Sequence, residues 1–163
     1  MKFVPAETID ALLDELEEYN DEQYEQAMQA FSEAQPYVFS YLFSEENFHL
    51  LTEDEKGYIQ YLGLVIWMAV ERINGKIPVV DSETIGQAEE QNYERIETCK
   101  SRRFEECLES FFEDTSQEAL LSFVVEAVTE DDEEESLVVT PAGRETVFVA
   151  VKTVLDVLTS NQS

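Results

Sequence analysis

Positive charge is nearly missing from this chain. Ten Lys and Arg stand against 37 Asp and Glu, a formal net charge of −27 over 163 residues. The deficit excludes direct binding to nucleic acid and to anionic membrane surfaces, which such a chain repels. It favours encounter with basic partners, acting over a Debye length of about 8 Å at physiological salt. Histidine occurs once, at His49. Glu46-Asn47-Phe48-His49 has the Glu-x-x-His spacing of di-iron bundles, but those sites need the motif from two helices. One histidine cannot complete the set, so His49 reads as a surface or capping residue. The five glycines form no phosphate-cradling loop, and the two cysteines form no zinc-type pair.

Long apolar runs are missing too. The longest, Leu62 to Val70, is far short of the roughly 20 residues of a membrane span. The amino terminus reads as no signal peptide, since Met1-Lys2-Phe3-Val4-Pro5 runs straight into an acidic amphipathic segment. Cys99 and Cys107 fall in one apparent helix. At 1.5 Å rise per residue their Cα atoms would be about 12 Å apart, beyond the ~7 Å limit for a disulfide. The expectation is therefore two unpaired thiols packed as small core hydrophobes, in a soluble cytoplasmic protein kept under reducing conditions.

What is present argues for a folded body. Hydrophobic residues make up 44% of the chain, with ten Phe and seven Tyr, enough to offset chain entropy in a single domain spanning 1–163. Ile9, Leu12, Leu13, Leu16 and Tyr19 form a helical stripe between acids. Asn20 and Gln23 cap a second stripe of Tyr24, Ala27, Met28 and Phe31. Pro36 opens a short aromatic helix over 37–43. Thr52 and Glu55 form a capping box for a helix over 53–74, apolar on almost every side and so placed at the centre of a bundle. Gly75 and Pro78 end it.

A long helix is predicted over 83–113, with a polar middle that allows a break near Lys100-Ser101. Thr115 and Glu118 form another capping box, before the face Leu120, Phe123, Val124, Ala127 and Val128. Six consecutive acids, Glu130 to Glu135, read as a solvated linker near 129–136. Thr140-Pro141 then opens the last segment. Its Val147, Val149, Val151 alternation suits a strand, but the apolar pattern continues for too long without a turn residue, so helix is preferred. Ile77–Val80 and Leu137–Val139 are the only other strand candidates. The fold class is all-α, a compact bundle of about seven helices.

For function, the aromatic set Tyr37, Phe39, Tyr41, Phe43 and Phe48 exceeds what one buried face of a short helix can hold. Tyr37, Phe39, Tyr41 and Phe43, rimmed by Glu45 and Glu46, are the candidate partner-binding residues. Lys100, Arg102 and Arg103, with Arg95 nearby, read as pairing with acids along their own helix. The leading expectation is a non-catalytic interaction module for a protein with a basic surface, a reading that also accommodates a homodimer. No catalytic, cofactor-binding or metal-binding residues are assigned. Two alternatives remain. A DNA mimic needs its acids gathered on one face, whereas residues 1–80 carry 16 acids and 4 bases and residues 81–163 carry 21 and 6, an even spread. A carboxylate–metal enzyme built in a helical bundle needs acids turned inward, whereas the stripes place them outward.

Overall fold

The computed structural model describes residues 1–99, 103–129 and 139–160. Among them the fold is all-α, with no strand. The helices are α1 (Ala6–Glu17), α2 (Asp21–Ala34), α3 (Pro36–Leu42), α4 (Glu45–Phe48), α5 (Glu53–Asn74), α6 (Ser82–Thr98), α7 (Phe104–Ser110), α8 (Glu118–Thr129) and α9 (Arg144–Thr159). Two more segments appear than the periodicity predicts. One is the single turn α4, capped by the Ser44 hydroxyl. The other comes from the break of the expected 83–113 helix into α6 and α7.

α5 and α9 form the centre, and α1, α6 and α8 pack around them. α5 is buried at every position from Leu62 to Trp67. α9 is buried at every position from Val147 to Leu155, including Lys152 and Thr153. That resolves the strand-like valine alternation: a helix covered on all sides needs no polar face, so its sequence loses the amphipathic period. The acidic linker expected near 129–136 lies, beyond Thr129, outside the described residues, as do Leu137 and Val138. Ile77–Val80 lies in no regular element, and among the described residues it pairs with no strand.

Caps set the element boundaries. Asn20 with Gln23 and Thr52 with Glu55 both form complete capping boxes, starting α2 and α5. The box expected from Thr115 does not form around Glu118, since the Thr115 hydroxyl accepts from the Gln117 amide and α8 starts at Glu118. Thr140 does not cap α9 directly. Its hydroxyl accepts from the Gly143 amide to close a turn, and the helix begins at Arg144.

Two segments without regular structure, at Lys2–Val4 and Ile77–Val80, are held by buried glutamines. Gln35, fully buried, donates through Nε2 to the carbonyls of Ile77 (3.3 Å) and Pro78 (2.9 Å) and accepts from the Val80 amide (3.0 Å). Gln117 accepts from the Val4 amide at 3.0 Å and donates to the Lys2 carbonyl at 3.0 Å. Each side-chain amide supplies the donor and acceptor that a ladder partner would supply.

The cysteines overturn a sequence expectation. α6 stops at Thr98, α7 begins only at Phe104, and Cys99 and Cys107 lie at a Cα–Cα distance of 5.8 Å, joined as a disulfide. The 12 Å separation assumed a continuous helix; the break removes it. Closing a loop this short stabilises the fold by about 2.5 kcal/mol in the chain-entropy model. The inference of a reducing compartment loses the support it drew from two free thiols. Protein purified without reductant and then denatured is expected to show no reactive thiol by a colorimetric thiol assay, and two after reduction. Two reactive thiols before reduction would contradict the bridge.

Candidate interaction surface

The aromatic helix α3 follows α2 after Gln35, and Pro36 at its first position fixes its start. Its rings divide between two directions. Phe43 stacks on Phe39 with centroids 4.4 Å apart, Phe39 meets Phe31 edge-on at 5.8 Å, and Phe31 stacks on Trp67 at 5.2 Å. This ladder runs from the surface to α5, so Phe39 is half-buried and serves the core. On the other side the Tyr41 hydroxyl donates to Glu89 of α6 at 2.5 Å, and its ring meets Phe48 edge-on at 5.5 Å. Burial, reinforced by the Glu89 carboxylate, pushes the Tyr41 phenol far above its ordinary range.

Of the four aromatic candidates, Tyr37 (48% exposed) and Phe43 (42%) therefore present open ring surface, while Phe39 and Tyr41 are turned inward. Tyr37 and Tyr41 line a cleft of about 290 Å³ between α3 and α6, floored by Ile85 and Glu89. Of the rim acids, Glu45 is engaged by Lys56 at 2.8 Å, whereas the Glu46 side chain is exposed. His49 is an exposed residue whose Nδ1 lies 3.0 Å from the Glu46 carbonyl, a surface histidine held by its own turn.

Several basic residues pair with carboxylates of the same chain. Arg72 pairs with Glu15 (2.7 Å), Arg144 with Glu105 (3.5 Å) and Lys56 with Glu45 and Glu53. Arg95, noted in the sequence only as lying near the basic cluster, does not pair along its own helix. It reaches across to Asp114 at 3.0 Å and to the Ser110 carbonyl at 2.5 Å. Lys100 and Arg102 lie outside the described residues, and Arg103 precedes α7.

Arg95 and Lys152 both lie over the Phe111 ring, at 4.9 and 5.4 Å from its centroid. Lys152 is bonded to Asp156 at 2.5 Å, and Asn92 donates to Asp156 (3.0 Å) and to Thr153 (3.2 Å). These groups border a polar cleft of about 500 Å³ in which both cations have a carboxylate partner. The geometry is that of a clamp joining α6, the segment after α7, and α9. Among the described residues no group of three or more His, Cys, Asp or Glu is placed to share a metal ion, and no helix is long and apolar enough to cross a membrane.

A second open apolar surface, unassigned by the sequence, lies between α1 and α8. It is a groove of about 600 Å³ with Phe3, Ile9, Leu13 and Phe123 as its apolar lining and Glu7, Asp10, Glu118 and Glu126 as its acids. Leu13 and Phe123 belong to the core-facing stripes of their helices, yet each is only partly buried. The available signal was stripe width: both residues sit at the edge of an apolar face wider than one neighbour covers.

No protein-family model, curated protein or solved structure matches this chain.

Proposed function

We propose that this protein is a non-catalytic interaction module that engages a protein partner through that partner's basic surface. What supports the reading is where the charges go. Five of the bases, Lys56, Arg72, Arg95, Arg144 and Lys152, are tied to the protein's own carboxylates. They neutralise few of the 37 acids, and among the described residues exposed acids stand on the outer faces of α1, α2, α6 and α8. Beside that coat stand apolar surfaces, Tyr37 and Phe43 among them. Charge accelerates encounter and selects the sign of the partner; apolar contact slows dissociation.

The test is affinity capture from native lysate at ~50 mM salt with elution by a salt gradient, against an unrelated acidic protein of similar charge density. The expected result is one basic protein retained by this chain above ~150 mM salt and absent from the control. Capture that duplex DNA competes away would point to a DNA-binding partner. Elution of the same abundant basic proteins from both columns at low salt would overturn the reading.

A further inference from the structure

The two walls of the α1–α8 groove are helical stripes. Ala6, Ile9 and Leu13 follow one another at three- and four-residue spacing on α1, and Ala119 and Phe123 do so on α8. At 1.5 Å per residue, the run from Ala6 to Leu13 is about 10 Å long, two helical turns. α1 packs mainly on α5 and α8 mainly on α9, so the two helices touch each other only sparsely and leave the space between them open. Phe3, 51% exposed, extends the apolar lining.

The acids are distributed on both walls: Glu7 and Asp10 on α1, Glu118 and Glu126 on α8, all exposed. None of the lining residues is Lys or Arg. The sequence adds six more acids directly after α8, from Glu130 to Glu135. An apolar floor between two acidic banks, each bank carried on a helix, is complementary to a cationic amphipathic helix. A third helix laid between two others also repeats the ridge-and-groove packing used throughout the bundle.

We infer that the α1–α8 groove docks a short amphipathic helix of a protein partner. About two turns of it lie in the groove, its apolar side against Phe3, Leu13 and Phe123 and its Lys or Arg side chains against the four carboxylates. The inference rests on the basic-partner reading and gives it a place and a partner element.

The probe is a synthetic Leu/Lys peptide of about 14 residues with helical apolar spacing, long enough to form helix on binding. It is compared with a scrambled peptide of identical composition, by fluorescence anisotropy at ~150 mM salt. Amide chemical shifts locate the site. Shifts should concentrate on residues 6–13 and 118–126, and scrambling should weaken binding about tenfold or more, since it removes the apolar face while keeping the charge. The exposed double variant Asp10→Lys/Glu118→Lys should weaken binding about tenfold. The charge-matched Glu22→Lys/Glu25→Lys on α2 should change it less than about threefold. Equal binding of the two peptides, equal loss in the two variants, or shifts centred elsewhere would overturn the groove assignment and leave the basic-partner reading standing. Absence of binding by either peptide at ~50 mM salt would overturn both.

Discussion

Replacing Gln35 by Leu is expected to destabilise the fold by about 3–5 kcal/mol, although the two side chains are similar in size. Gln35 is fully buried, and its amide is bonded to the Ile77 and Pro78 carbonyls and the Val80 amide. Leu fills the space but can bond none of them. Each buried backbone group left without a partner costs about 1–3 kcal/mol, and the added apolar transfer recovers only part of that loss. Pro78 has no amide hydrogen to recruit a strand, so the segment has no local substitute for Gln35. Chemical denaturation should show a lower midpoint with an unchanged slope, the sign of a stability change without altered compactness. A loss below about 1 kcal/mol would mean that water replaces the amide at little cost, against the role given to Gln35 here.

Glu55→Gln and Gly143→Ala should each cost about 2–4 kcal/mol, and the pair should cost much less than the sum. Glu55 is buried, and its carboxylate accepts from the Thr52 amide through Oε1 and from both the amide and the hydroxyl of Thr140 through Oε2, each at 2.9 Å. One carboxylate thus joins the start of α5 to the turn before α9. Gln has one acceptor oxygen where the carboxylate uses two, so its NH₂ faces a donor at either Thr52 or Thr140. Gly143 meets the same carboxylate from the other side: a methyl group there would overlap Oε2. Its φ is −92°, so this glycine is required for space and not for an unusual backbone angle. Both substitutions therefore break the same contact, and a double-mutant cycle should report a large coupling.

The pH dependence follows from the same bonds. Burial pushes the Glu55 carboxyl upward, but its hydrogen bonds from Thr52 and Thr140 outweigh burial and hold it below the ordinary value of 4.5. A carboxyl with a lowered folded-state pKa binds protons more readily when unfolded, so its contribution is complete above 4.5 and is lost as pH falls through the folded value. The stability difference between wild type and Glu55→Gln should be constant above pH ~5 and shrink below it. A difference that grew on acidification would contradict this account. Taking the difference is what isolates Glu55 from the other acids.

The helices were legible where local chemistry decides them. The Asn20–Gln23 and Thr52–Glu55 boxes, the Pro36 start and the Gly75 stop are short-range signals, and α2, α3 and α5 begin or end where those signals fall. The break between α6 and α7 is only hinted at by a polar stretch, and with it the disulfide, which depends on that break and not on spacing. Gln35, Gln117 and the second half of the Glu55 contact were illegible for the same reason. Each joins residues at least 42 apart in the chain, and a glutamine that replaces a strand looks like any other glutamine. In the aromatic set, composition marked an excess of rings without showing which turn inward. Phe39 and Tyr41 do; Tyr37 and Phe43 do not. The α1–α8 groove is illegible in the sequence because a stripe shows which helix face is apolar and not how closely another helix approaches it, which is a tertiary property.

The central claim is that charge and apolar surface act together in binding. Isothermal titration calorimetry of the Leu/Lys amphipathic peptide, run from about 50 to 500 mM salt and at several temperatures, tests it most directly. The account predicts affinity that falls with salt but levels off at a residual binding with a negative heat-capacity change, the mark of buried apolar area. Binding that vanishes with salt and carries no heat-capacity change would show that the acids act alone, as a polyanion with no docking surface.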